Sequence, residues 1–159
     1  MSSQDNANIY LAIEAKINDI LTGDSVKNAL DFIAFAREGG ISFEPNEEGN
    51  GWAVGGTVGD SIGYMIISND VQMPAPWVIW FNSCDFDCGD AVDDKIKETA
   101  WSHASQCGHC HEGWKDCGGG DRMIFGKEFE MLCHSPLMFT EPDAETLAHM
   151  IELIGLLKH

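Results

Sequence analysis

A chain of 159 residues, 44% of them apolar and five of them tryptophan, suffices for one domain that removes roughly 70% of its unfolded surface from water. Neither metal nor disulfide is needed merely to make it fold. Nine basic against 26 acidic residues give a formal charge of −17, a field that repels phosphate backbones and anionic membranes, so a nucleic-acid partner is not expected. Lys95/Lys97 and Lys115/Arg122 stand isolated among acids. The start, MSSQDNANIY, lacks the basic and apolar runs of a signal peptide, and no apolar stretch approaches the ~18 residues a bilayer demands. A cytoplasmic, membrane-free protein is expected. In that reducing setting six cysteines are read as metal ligands, redox groups or buried thiols before structural disulfides.

Ile9, Ile13, Ile17, Ile20 and Leu21 recur at helical spacing, predicting a helix over 6–22 that ends at Thr22-Gly23. Asp24 or Ser25 can cap a second helix, with Val26, Ala29/Leu30, Ile33 and Ala36 on its buried face and Gly39-Gly40 as its stop. The pair reads as a helical hairpin covering a sheet; a helix-turn-helix DNA reader conflicts with the acidic composition. Ile41–Phe43 suggests a short strand and Glu44–Asn50 a polar loop. Residues 52–58 and 61–68 form a hairpin pattern around Gly59-Asp60, which tolerate positive backbone angles. Trp77–Phe81, WVIWF, is a third strand whose unbroken apolar run predicts cover on both faces. Within it Trp77, Ile79 and Phe81 point one way and Val78 and Trp80 the other. Aromatic residues of this sheet, Trp52, Tyr64, Trp77 and Trp80, could line a small-molecule cleft where Gly55, Gly56 and Gly63 leave room, or they are plain core.

Ser83–Asp94 is rich in carboxylates but departs from the calcium-loop order, and reads as a solvated loop. Cys84 and Cys88 within it read as ordinary thiols. A helix is expected from Ala91 to about Ser105, with Trp101 packing it onto the sheet and His103 as a hydrogen-bonded flank. HSPLMF, after Cys133, reads as extended. Thr140-x-x-Asp143 resembles a capping box with Pro142 in the first turn, and Leu147, Met150, Ile151, Ile154 and Leu157 mark a docked terminal helix. With no linker or internal repeat, residues 1–159 form a single domain.

Chemistry concentrates in 107–134. Cys107, Cys110, Cys117 and Cys133 follow C-x2-C-x6-C-x15-C. A C-x2-C knuckle turns two sulfurs toward one ion, and four thiolates satisfy a closed tetrahedral structural Zn²⁺ site. A hairpin of Arg122–Phe125 and Glu128–Cys133, turning at Gly126-Lys127, could carry Cys133 back to the knuckle. His109, His111 or His134 could replace a sulfur, and an iron–sulfur cluster would use the same thiolates. The rival chemistry is thiol–disulfide exchange at Cys107-Gly108-His109-Cys110, a dithiol sequence of disulfide isomerases. ETAWSHASQ before it reads as helix-like rather than as the strand such a site needs. A hydrolytic metal centre with Glu112 as base would require one open ligand position.

Trp101, the C-x2-C pair, the third cysteine before a glycine run, IFGKEF at 124–129, Cys133 and Pro142-Asp143-x-Glu145-x-Leu147 together resemble a small uncharacterised bacterial family. The likeness implies that the four cysteines and the last helix form one unit; it implies no activity. The HEGWKD spacer between Cys110 and Cys117 is longer than that pattern leads one to expect. The expected architecture is α+β: N-terminal helices on an antiparallel sheet of three or more strands, then a helix, a Cys-rich zinc-ribbon-like hairpin and a C-terminal helix. The expected function is a non-catalytic module with a structural zinc, binding a small molecule or a protein partner.

Overall fold

The computed structural model describes residues 3–55, 61–81, 92–106 and 120–157. Helix α1 (Ser3–Ile20) buries Tyr10, Ile13 and Ile17, followed by Leu21, the three- and four-residue spacing of one helical face. It begins and ends earlier than the expected span. Helix α2 (Asp24–Glu38) starts after Gly23, at φ 60°, with no side-chain cap. Asp24 and Ser25 therefore lie inside the helix instead of capping it. Ser25 Oγ donates to Glu141 at 3.2 Å and Asn28 Nδ2 to the Pro142 carbonyl at 3.3 Å, tying α2 to the approach of the last helix. At its other end, Ile41 N–H donates to Ala36 O and Gly40 N–H to Arg37 O, with Gly40 at φ 69°. These bonds satisfy the last-turn carbonyls and need a left-handed residue, which glycine supplies.

Among the described residues, seven strands form one antiparallel sheet: β1 (Phe43–Pro45), β2 (Gly51–Val54), β3 (Gly63–Ile67), β4 (Trp77–Phe81), β5 (Ala104–Gln106), β6 (Gly120–Ile124) and β7 (Lys127–Thr140). Their order is β1-β2-β3-β4-β7-β5, with β6 also paired to β7. The β2–β3 hairpin is shorter than its pattern suggested, and its expected turn at Gly59-Asp60 lies outside the described residues. Strand β4 has the expected bounds.

Register decides which side chains meet. Trp52, Met65, Ile79 and Phe139 form one cross-strand row, and Val54, Gly63, Phe81 and Leu137 the next. The side chains of both rows are buried and join residues from all four helices in one core cluster running from Tyr10 to Ile154. The molecule is thus a two-layer α+β structure, with helices against one face of the sheet. Aromatic edges lock the layers: Phe43 meets Tyr10 at 5.8 Å and Phe32 at 6.4 Å between ring centroids. The Tyr10 hydroxyl donates to the Ile41 carbonyl, and burial raises that phenol above its ordinary pKa, since the charged form is penalised away from water.

Helix α3 (Asp94–Ser102) is capped by Asp93, whose carboxylate accepts from Lys95 N–H at 2.8 Å. It stops before the expected Ser105, because Ala104–Gln106 is drawn into pairing with β7. Helix α4 (Ala144–Leu157) follows Asp143, whose side chain accepts from Thr146 N–H at 2.8 Å. Thr140 is the last residue of β7 and Pro142 precedes the cap, so the boundary falls later than the capping-box pattern indicated. No helix among the described residues is long and apolar enough to cross a membrane.

Candidate functional site

Strand β7 is the longest in the sheet and carries Cys133. Its C-terminal end pairs with β4, while its earlier part lies between β5 and β6. Gln106, just before Cys107, pairs with Leu132; Gly120, just after residue 119, pairs with the same Leu132 from the other side. Neighbouring strands are ~4.8 Å apart, so the two flanks of the cysteine-bearing segment stand roughly 10 Å from each other, astride the residue preceding Cys133. The pairing is irregular at this point. Ala104 to Gln106 on β5 is matched by Leu137 back to Leu132 on β7, which leaves residues 133–136, Cys133 and His134 among them, outside the regular ladder on that side. Met131, at φ 56°, opens a second irregularity toward β6, and its N–H donates to Asp121 Oδ1 at 3.0 Å. Bulges of this kind re-aim side chains away from the alternation a regular strand imposes.

Cys107, Cys110 and Cys117, with His109, His111 and Glu112, lie outside the described residues, as do Cys84 and Cys88. Among the described residues, no three His, Cys, Asp or Glu side chains are grouped to hold a metal. The hairpin that returns the chain to Cys133 is present, but its turn is Phe125-Gly126, not Gly126-Lys127. Ile124 pairs with Lys127, and φ is 48° at Phe125 and 83° at Gly126. Two successive positive angles suit the right-handed twist of the flanking strands. Phe125 bears this backbone because its side chain is buried in the core. Trp101 joins α3 to this hairpin: its Nε1–H donates to Ile124 O at 2.6 Å, and Lys127 Nζ lies 5.4 Å from its ring centroid.

The four sheet aromatics divide between faces. Trp52 and Trp77 are buried on the helix-covered face, Trp77 packing 6.3 Å from Phe32. Tyr64 and Trp80 are cross-strand partners on the opposite face and are half-buried. The register therefore brings Tyr64 and Trp80 together and separates them from the other two. The glycines make room for protein and not for a ligand. A Cβ on Gly63 would run into the Trp80 carbonyl oxygen, one on Gly55 would meet Ile62 Cγ1 at 2.8 Å, and one on Gly51 would meet the Tyr64 hydroxyl at 2.5 Å. Gly56 lies outside the described residues. On the Tyr64 face, Glu44 keeps one buried carboxylate oxygen without a partner among the described residues.

A groove of about 360 Å³ opens between α3 and α4, lined by Lys95, Glu98, Thr99, Ser102, His103, Glu145, Thr146 and His149. Thr99 serves both histidines. Its carbonyl lies 2.7 Å from His103 Nδ1, and its hydroxyl lies 2.6 Å from His149 Nδ1. His103 also stacks on Phe139, centroids 4.5 Å apart and planes 22° from parallel, so it is the hydrogen-bonded flank the sequence suggested. Asp143, at the mouth of α4, has its carboxyl held below the ordinary range, first by the Thr146 amide, then by the Thr146 hydroxyl, with smaller contributions from His103 and His149. Nothing in the sequence reading singled out His149. The signal available was spacing: Thr99 and His103, like Glu145 and His149, are four residues apart and share a helix face.

No family model, curated protein or solved structure matches the chain.

Proposed function

We propose that the protein is a zinc-binding, non-catalytic module in which Cys107, Cys110, Cys117 and Cys133 hold a structural Zn²⁺. Its working role in this reading is to bind a small molecule or a protein partner in the cytoplasm. The observation that supports it is the shared pairing of Gln106 and Gly120 with Leu132: both flanks of the segment bearing three cysteines are anchored beside the fourth. The ladder is irregular at residues 133–136, the kind of interruption at which a strand departs from regular alternation. Four thiolates leave no open position, which suits a staple and not a hydrolytic centre. The metal would contribute folding energy, because an unfolded chain offers no assembled site.

Native mass spectrometry of protein purified without chelator is expected to show one zinc per chain, lost in Cys133→Ser. EDTA is expected to lower the thermal midpoint. A metal-free protein whose midpoint ignores EDTA would sink this reading.

One feature favours a second reading, thiol–disulfide exchange by Cys107 and Cys110. The CGHC sequence directly follows strand β5, although the first part of its lead, Glu98–Ser102, lies in α3 as the sequence suggested. Alkylation separates the two: a thiol that reacts rapidly without chelator supports exchange, whereas thiols blocked until chelator is added support zinc.

A further inference from the structure

His103 and His149 both line the α3–α4 groove, and both are bonded to Thr99. We propose that His103 and His149 form a second cation site, taking a borderline divalent metal such as nickel or zinc, with Glu98 or Glu145 completing the ligand set. Both rings line the groove, and both have Nδ1 occupied by Thr99. A carbonyl only accepts, so His103 Nδ1 carries the proton and its Nε2 keeps the lone pair a metal needs. The Thr99 hydroxyl can accept from His149 Nδ1–H and support the same tautomer there. Fixing one ring nitrogen so that the other can bind a metal is what outer hydrogen-bond partners of ligating histidines do.

The ligand class follows from the same atoms. An anion would meet a lone pair on His103 and the carboxylates of Glu98, Glu145 and the neighbouring Asp143; a cation meets donors. Imidazole with carboxylate suits zinc and nickel better than calcium or magnesium, which take oxygen. Among the described residues no three such groups converge; Thr99 holds the two histidines, and the proposal requires a carboxylate to reach them by side-chain rotation. Glu98 and Glu145 are exposed and free to make that rotation, and Glu145 lies one turn before His149. Lys95 lines the groove as well and opposes a cation.

The test is a nickel titration of the full-length, zinc-replete chain by calorimetry, with bound nickel counted after dialysis. One equivalent is expected. His103→Ala and His149→Ala should each weaken it by about tenfold or more, and Thr99→Val by less, since the carbonyl to His103 remains. Acidification should weaken binding as protons compete for the same nitrogen. Cys133→Ser should leave it unchanged, which separates this site from the proposed thiolate zinc; nickel on thiolates would also betray itself by charge-transfer absorption. Circular dichroism checks that the histidine variants fold. If they do not, Lys95→Gln decides, since it should tighten binding. Nickel affinity that survives both histidine substitutions, follows Cys133, or ignores Lys95→Gln overturns the proposal.

Discussion

Gly63 of β3 pairs with Phe81 of β4, and a side chain at its position would run into the Trp80 carbonyl oxygen and the Phe81 ring. The obstacle is backbone, which cannot rotate aside as a flexible side chain could. Gly63→Ala should therefore cost about 1–3 kcal/mol, the usual range for overpacking a close-packed site, measured as a fall in the urea midpoint at unchanged slope. An unchanged midpoint would mean that β4 can back away from β3. Trp77 illustrates a different residue-scale compromise. Its ring is fully buried against Phe32, yet its Nε1–H has no partner among the described residues, so part of the gain from burying the ring is offset by a desolvated donor.

Among the elements, α4 depends most visibly on a single charge. Asp143 accepts from the Thr146 amide, and this bond is the main reason its carboxyl is held below the ordinary range. A carboxyl depressed in the folded state contributes stability that is present above its unfolded pKa and is lost as pH falls through the lowered folded value. Asp143→Ala should cost about 1 kcal/mol at neutral pH. Asp143→Asn should cost less there, and its disadvantage against the parent chain should shrink in acid. Thermal melts of the three proteins at neutral and acidic pH would show this; a gap between parent and Asn variant that is constant with pH would refute the assignment.

The elements also show what a sequence can carry. WVIWF was legible as β4 because a continuous apolar run leaves little choice, and Gly39-Gly40 as a helix end because only glycine easily turns left-handed there. Ala104–Gln106 was not, since ASQ has no strand pattern of its own and becomes a strand only because β7 lies alongside. The turn at Phe125-Gly126 was misplaced by one residue because glycine suits either position; the burial of Phe125, a long-range fact, decides. The shared pairing of Gln106 and Gly120 with Leu132 was not legible, and neither was the bonding of both His103 and His149 to Thr99, which depends on how α3 packs on α4.

For the whole molecule, the division of the sheet into a helix-covered face and a Tyr64–Trp80 face sets where a partner can be sought. The helix-covered face is committed to one core. The other carries the cross-strand aromatic pair and Glu44, and is the face on which the proposed small-molecule or protein partner is to be sought.

Strand β7 closes the sheet from the far end of the chain. Its residues Leu137–Thr140 pair with Val78–Phe81, so until β7 has been made and docked, β4 is the outer strand of whatever has formed. An outer strand reading WVIWF presents unpaired backbone amides with no charge, proline or glycine to discourage a second molecule, which is the composition of a cross-β template. A chain cut before Pro136 should therefore appear in the insoluble fraction and bind an amyloid dye, and replacing Val78 with lysine in that fragment should recover soluble material. The uncut chain would then escape this pairing during synthesis through the speed with which its last 24 residues arrive.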